Sequence, residues 1–382
     1  DNGRLGEFFR SLGTTDWRLG LETAILTLGA MAAFAFQARP VRFGFGVLVV
    51  LTARLMLFGA GTNTIYEERS FFGVVRVRED VVDLDNATKR IEHTLVHGST
   101  NHGAQWAEIS DELADKIPNR RDLWAKAKKG RTPITYYFRT GPVGQVFTRL
   151  ADPVQTREIG VIGLGTGTTA AWAKPGQRVT YFEIDPMVKR ISYDSARLFS
   201  YVTDAEAHGV PVAIEMGDAR ITLEDDERVP PGKFDILIVD AFSSDAIPIH
   251  LLTKEAIEVY FRKLSATGIL LVHVSNRHLE LAPVVGNLAR ELGLVCRICR
   301  DDTVSDEDEE WGKFASDWVI LVRKEKRLGS LATNSKWKPI PPDDRVGIWT
   351  DDFSNVVDVL RWFRSRASAD ASEGDEEDGF DE

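Results

Sequence analysis

The sequence predicts an α/β protein built on a parallel, doubly wound sheet, with a small N-terminal β-domain and a helical hairpin ahead of both. Three observations predict it. After Glu158, short apolar runs rich in β-branched residues ("EIGVIGLG", "RVTYFEID", "VAIEMGDA", "FDILIVDAF", "GILLVHVSN", "DWVILVR") alternate with helical stretches, the rhythm of strand and crossover. In "YEERSFFGVVRVRED" (66–80) valines 74, 75 and 77 lie between charges, which suggests β-strands. The first sixty residues carry two long apolar runs. The predicted units are a hairpin over 1–62, a β-domain over 63–130, a catalytic α/β domain over 131–366 and an acidic tail over 367–382.

The hairpin comes first in the chain. "LGLETAILTLGAMAAFAFQA" (19–38) and "FGFGVLVVLTARLMLFGA" (43–60) approach membrane-spanning length. Being Gly/Ala-rich and moderately apolar, they also suit a packed hairpin. The absence of a signal-peptide cleavage pattern, and of anything downstream to cover these faces, favours transmembrane helices. Arginines before, between and after the pair slightly favour both ends, and the catalytic domain with them, on the cytoplasmic side of the cell inner membrane. Two helices starting almost at residue 1 read as the tail of a longer membrane unit.

Composition bounds the rest. Of 382 residues, 43% are hydrophobic and 27% charged, as in an ordinary globular protein. The net charge of −11 gives no footing for nucleic acid, but eight acids and no base fall in 367–382, leaving about −3 elsewhere. Such an end cannot bury a core and is expected to be disordered. "DDTVSDEDEE" (301–310) reads as a solvated loop. Cys296 and Cys299 in "LVCRICR" lack partner cysteines for zinc and read as part of a strand in a reducing compartment.

The chemistry is concentrated in "VIGLGTGTTAAWAKPGQRVTYFEID" (161–185) and in the two strands after it. Gly163, Gly165 and Gly167 come after a strand, where missing side chains let backbone approach a ligand. Alone this turn suits NAD, FAD or S-adenosylmethionine. Glu183 ends the next strand, placed to hold two ribose hydroxyls. Asp218, in "EMGDAR", ends the third strand, where a carboxylate beside a backbone N–H can read an adenine edge. Asp240 ends the fourth. Any one of these acids is more simply a helix cap or a loop end. As an ordered set at the carboxyl ends of parallel strands, they describe an adenosyl-sulfonium site rather than a dinucleotide site.

Residues 66–360 resemble the spermidine synthase (polyamine aminopropyltransferase) family, in its membrane-fused form. The resemblance is carried by "ERSFFGVVRV", "HGSTNHGAQ", "TYYFRTGPVG", "GLGTGT", "YFEID", "GDAR", "VDAFSSDAIPIHLLT", "HVSNRHL" and "WTDDFSNV". It implies a Rossmann-like S-adenosylmethionine-dependent transferase fold with Glu183 on ribose, Asp218 and Ala219 on adenine, and Asp240 on the attacking amine. It implies no tightly bound cofactor; decarboxylated S-adenosylmethionine, or S-adenosylmethionine itself, is the co-substrate. The polyamine is the partner, and a homodimer is compatible with this reading.

Asp240 suits that work because a free polyamine is protonated near neutral pH, and a carboxylate can attract the cation and accept its proton. Asp245 offers a second acid. The loop 241–250 reads as a gate. Tyr136 matches the family tyrosine of the acceptor channel, or is a core aromatic.

The departures concern the donor's tail. Thr166 stands where the family has an acid, Asn101 where it has a glutamine, and Tyr137 where it has a glutamine or histidine. Gln105 remains to hold the tail. His93, His97 and His102 lack an acid or cysteine to complete a metal site, and a strand would turn His102 away from the other two. His250 and His273 read as structural. Three rivals share parts of this evidence: an S-adenosylmethionine-dependent methyltransferase, an S-adenosylmethionine-cleaving enzyme, and a ligand-sensing domain of a membrane transporter.

Overall fold

The computed structural model describes residues 17–57, 63–85, 88–98, 100–107, 131–195, 198–241 and 248–361. Asp1–Asn63 and Thr64–Glu382 are separate compact units.

In the first unit the two apolar runs form helices α1 (Trp17–Phe34) and α2 (Pro40–Leu57). Small residues let them approach: Gly29 lies against Val50, and Gly46 against Ala33. The expected transmembrane hairpin over 19–60 is not found. No helix among the described residues is long and apolar enough to cross a membrane. Glu22, Thr23, Thr27 and Gln37 dilute the apolar content of the first run, and Arg54 interrupts the second.

In the second unit, the stretch where charges and valines alternate forms an antiparallel meander of β1 (Thr64–Ser70), β2 (Gly73–Asp85), β3 (Thr88–His97) and β4 (Thr100–Trp106). Val75, Val77 and Leu95 on its inner face pack against Met187, Ile191 and Phe199 of the following domain.

Helix α3 (Pro142–Leu150) leads into the large sheet. Its first half alternates strands with short helices. These are β5 (Glu158–Ile162), β6 (Arg178–Glu183), α4 (Pro186–Lys189), α5 (Tyr201–Ala207), β7 (Val212–Met216), α6 (Ala219–Glu224) and β8 (Phe234–Val239). The second half contains α7 (Lys254–Lys263), β9 (Leu264–His273), α8 (Ala282–Glu291), β10 (Val295–Asp301), α9 (Asp306–Glu310), β11 (Ser316–Val322) and β12 (Trp337–Lys338).

The sheet order is β12-β10-β11-β9-β8-β5-β6-β7. β5 to β9 are parallel, and β10, β11 and β12 add antiparallel pairs at one side. Alternate residues feed two cores: Leu237, Val239, Leu270 and Val272 face one, and Ile236, Ile238, Ile269 and Leu271 the other. Burial on both faces explains why these strands read as unbroken apolar runs.

Two local expectations are settled here. Cys296 and Cys299 lie on β10 as free thiols, and burial pushes them up to about 11 and about 12. The acidic run 301–310 is not simply a solvated loop. Ser305 caps α9 by accepting the Asp308 N–H, and buried Asp301 pairs with buried Lys313 at 2.9 Å. The 367–382 tail lies outside the described residues.

Candidate active site

Five neighbouring parallel strands end at one edge of the sheet, where open α/β sheets bind ligands. A cavity of about 610 Å³ opens there. Gly163 and Gly165 follow β5, Glu183 ends β6, Asp218 and Ala219 follow β7, Asp240 follows β8 and His273 ends β9; all line this cavity. The β3–β4 hairpin supplies His97, Thr100, Asn101 and His102 to the wall, and Tyr136 and Phe314 add aromatic surface.

The glycine turn serves packing as well as access. Gly163 has φ +95°, and a Cβ there would stand 2.3 Å from the Asp240 carbonyl oxygen. Gly165 has φ +52°, and its Cβ would stand 2.8 Å from the His102 carbonyl oxygen. Both positions need glycine because backbone closes on them from the sheet and from the β-domain. Gly167 packs against Val202 and is not on the cavity wall.

Glu183 is held by backbone. Its Oε2 accepts the Leu164 N–H at 2.9 Å and its Oε1 the Asp185 N–H at 2.8 Å. Burial raises its pKa above the ordinary carboxylate value, against the pull of those N–H groups. Asp218 caps α6: Oδ1 accepts the Ile221 N–H at 3.1 Å, and Oδ2 lies 3.0 Å from His250 Nε2. The single-acid reading, a helix cap, is thus realised on the cavity wall itself.

Asp240 is the most closely supported side chain. Its Oδ2 accepts the Tyr137 hydroxyl at 2.5 Å, and its Oδ1 lies 2.7 Å from His273 Nδ1. Burial, and then the Asp240 charge, hold the phenols of Tyr136 and Tyr137 well above their usual range. The tyrosines follow Thr135, whose φ of +60° is an outlier for a β-branched residue. Its backbone is pinned by the Gly312 carbonyl at 2.6 Å and the Phe314 N–H at 3.2 Å.

Several residues singled out from sequence lie elsewhere. Thr166 is buried and turned inward; its hydroxyl is 2.7 Å from that of Thr168, and a Cβ on Gly103 would meet it at 2.5 Å. Gln105 clamps Ser200, accepting its backbone N–H at 2.7 Å and donating to its hydroxyl at 2.9 Å. Neither lines the cavity, and Tyr137 reaches the site through Asp240. Of the residues read as holding the donor's tail, Asn101 is on the wall, its Oδ1 accepting the Gly103 N–H at 2.8 Å. Asp245 and residues 242–247 of the loop lie outside the described residues.

The histidines depart from the sequence reading. His250 and His273, read as structural, bond the two site acids. The strand-end position that singled out Asp240 would have found His273. The hairpin brings His97 and His102 together, ring centroids 5.8 Å apart, rather than to opposite faces. His93 is buried against Glu79 at 2.9 Å and the Leu198 carbonyl at 2.8 Å. Among the described residues, no three His, Cys, Asp or Glu side chains are grouped to hold a metal ion.

No family model matches the chain. It is 32% identical over 116 residues to a polyamine aminopropyltransferase of Vibrio vulnificus, covering 30% of this chain and 36% of that protein. It is 29% identical over 164 residues to an N-terminal histidine N-methyltransferase of Emericella nidulans, covering 39% of this chain and 27% of that protein. The chain thus spans about a third of the length of these relatives. Among solved structures, a probable spermidine synthase from Corynebacterium glutamicum aligns at 17% identity and a TM-score of 0.42, covering 68% of this chain and 79% of that one. The Thermotoga maritima spermidine synthase aligns at 14% and 0.41, covering 69% and 74%.

The sheet order, with antiparallel β11 beside β9 and a glycine turn after β5, is that of an open, mostly parallel α/β sheet. The chain carries an antiparallel β-sheet on the N-terminal side of it, and its likeness in sequence to the spermidine synthase type is distant. The matches give no support to the membrane-fused subgroup.

Proposed function

We propose that the chain transfers an aminopropyl group from decarboxylated S-adenosylmethionine to putrescine or a related amine, releasing methylthioadenosine. The observation that carries this reading is the shared cavity: Glu183, Asp218 and Ala219 line it beside Asp240, whose carboxylate is backed by Tyr137 and His273. The local identity to the Vibrio vulnificus polyamine aminopropyltransferase supports it.

In this reading Glu183 accepts the ribose hydroxyls, and the Asp218–Ala219 corner meets the adenine edge. Asp240 attracts the cationic acceptor and takes one proton from its ammonium. The freed lone pair attacks the carbon beside the sulfonium. As the N–C bond forms, the C–S bond breaks and its electrons pass to sulfur, giving neutral methylthioadenosine and a secondary ammonium. One proton is released per turnover. Positioning of donor and acceptor supplies much of the rate, because the sulfonium is already a good leaving group.

Mass spectrometry of products tests the reading, using each sulfonium donor with and without putrescine. Methylthioadenosine together with an aminopropylated amine is expected. S-adenosylhomocysteine would mean methyl transfer, and amine-independent methylthioadenosine would mean cleavage. Tight binding without turnover would mean a ligand sensor.

A further inference from the structure

Behind Asp240 lies a hydrogen-bonded array whose direction can be read. His273 Nδ1 is 2.7 Å from Asp240 Oδ1, and its Nε2 is 2.7 Å from Ser275 Oγ. Ser275 Oγ accepts the Asp317 backbone N–H at 2.7 Å, which fixes that oxygen as an acceptor towards β11. The other direction open to the serine proton, the Asp317 carbonyl, is 3.5 Å away. The hydroxyl is therefore best used as a donor to Nε2, which places the ring proton on Nδ1, facing the carboxylate. The ring cannot swing away: it stacks on Trp318 at 4.4 Å between centroids and 7° between planes, with Tyr136 at 4.7 Å.

We propose that Ser275 and the Asp317 N–H hold His273 in its neutral, Nδ1-protonated form, so that Asp240 keeps a net negative charge for a cationic amine. The proposal rests on the aminopropyl-transfer reading. Its physical basis is charge balance. An imidazolium beside Asp240 would cancel the carboxylate's field and remove its attraction for an ammonium. Protonating Nε2 would also set its N–H against Ser275 Oγ and drive the hydroxyl to the distant carbonyl. His273 acts through Asp240 and is a positioning residue.

Among the described residues, the charged and titratable groups near the ring can be named. Asp240 follows β8, and Tyr136 and Tyr137 precede α3. The Asp317 carboxylate at the start of β11 is tied to Arg300 of β10 at 3.1 Å, and Arg300 also holds Glu280 at 2.7 Å. Arg361 bonds Glu280 at 3.3 Å. Arg300 and Arg361 are thus paired with acids, Arg277 is an exposed base on the Ser275 side, and Asp240 is an acid bonded to the ring.

The test is the pH dependence of kcat/KM for the amine in wild type, Ser275→Ala and His273→Asn, with ring nitrogen NMR on the wild type. Ser275→Ala removes the donor to Nε2, so its acidic limb is expected to move up by about one pH unit, with the plateau within about threefold of wild type. His273→Asn keeps an N–H towards Asp240 but cannot titrate; it is expected to lose that limb and about tenfold of the plateau rate. Methylthioadenosine affinity is expected to stay within twofold in both, which also shows that they fold. NMR is expected to show the proton on Nδ1 at neutral pH. An active enzyme with the Nε2-protonated tautomer, or a Ser275→Ala limb that coincides with wild type, overturns the proposal alone. A wild type that forms no aminopropylated amine overturns the functional reading and the proposal with it.

Discussion

The Tyr137 hydroxyl donates to Asp240 Oδ2 at 2.5 Å, from a side chain that does not itself line the cavity. The bond fixes one carboxylate oxygen and leaves its remaining lone pair directed by the phenol. Asp240→Asn keeps the size and one acceptor oxygen, but turns an NH2 towards either Tyr137 or His273 and removes the charge and the proton-accepting function. It is expected to bind methylthioadenosine almost normally, while kcat falls by about two orders of magnitude or more. Tyr137→Phe is expected to lower kcat about tenfold. Calorimetry and steady-state turnover check both, and near-normal turnover by Asp240→Asn would sink the aminopropyl-transfer chemistry.

Periodicity accounts for the part of the site that was legible in the sequence. Strand ends can be placed from apolar runs, so Gly163, Gly165, Glu183, Asp218 and Asp240 could be placed at one edge, and they line one cavity. Side-chain direction inside a turn has no such rule. Thr166 lies between two positive-φ glycines, and the turn aims its hydroxyl at Thr168 rather than at the cavity. Gln105 is on β4, but its partner Ser200 is 95 residues further on, a pairing that no local pattern announces. The apolar runs were legible as the helices Trp17–Phe34 and Pro40–Leu57, whereas no periodic pattern decides whether a helix enters a bilayer.

On the proposed ribose role of Glu183, its raised pKa would make adenosyl binding depend on pH, because the carboxylate is the form that can accept two ribose hydroxyls. Burial shifts the loss of that form to a higher pH than for an ordinary glutamate. Affinity for methylthioadenosine is therefore expected to be full above that pKa and to decline as pH falls through it. Glu183→Gln is expected to bind at least about tenfold more weakly at neutral pH, roughly 1.4 kcal/mol, and to lack this limb. Titration calorimetry across pH checks it; unchanged affinity in a folded Glu183→Gln variant removes the ribose assignment.

Asp301 and Lys313 form a buried pair at 2.9 Å, next in sequence to Phe314 on the cavity wall. Asp301→Asn leaves the ammonium with Asp308 at 3.5 Å as its remaining acidic partner within reach among the described residues. The expected loss is about 3 kcal/mol of stability, because a buried charge is left poorly compensated. Denaturant unfolding checks it, and a change below about 0.5 kcal/mol would show that the pair is not an electrostatic anchor.

Every described residue lining the cavity belongs to Thr64–Glu382. A chain beginning at Thr64 is expected to bind methylthioadenosine within about twofold of the full chain. Loss of binding by a folded, truncated chain would mean that 1–63 takes part in the site.

Donor choice gives the last prediction, and the placement of Thr166 decides where to make it. An acid on the cavity wall can form a charge-assisted bond to the free ammonium of the decarboxylated donor. Thr166→Asp cannot supply one, since position 166 is 2% exposed and packed against Gly103 and Thr168. It is expected to bury a carboxylate and cost about 2 kcal/mol or more of stability. Asn101 lies on the wall, and an aspartate there keeps the bond from the Gly103 N–H while adding charge. Asn101→Asp is therefore expected to raise kcat/KM for decarboxylated over ordinary S-adenosylmethionine by about tenfold. Competition between the two donors, read by mass spectrometry of the products, measures the ratio. An unchanged ratio, or a shift towards the ordinary donor, would mean that the ammonium end of the donor does not lie at Asn101.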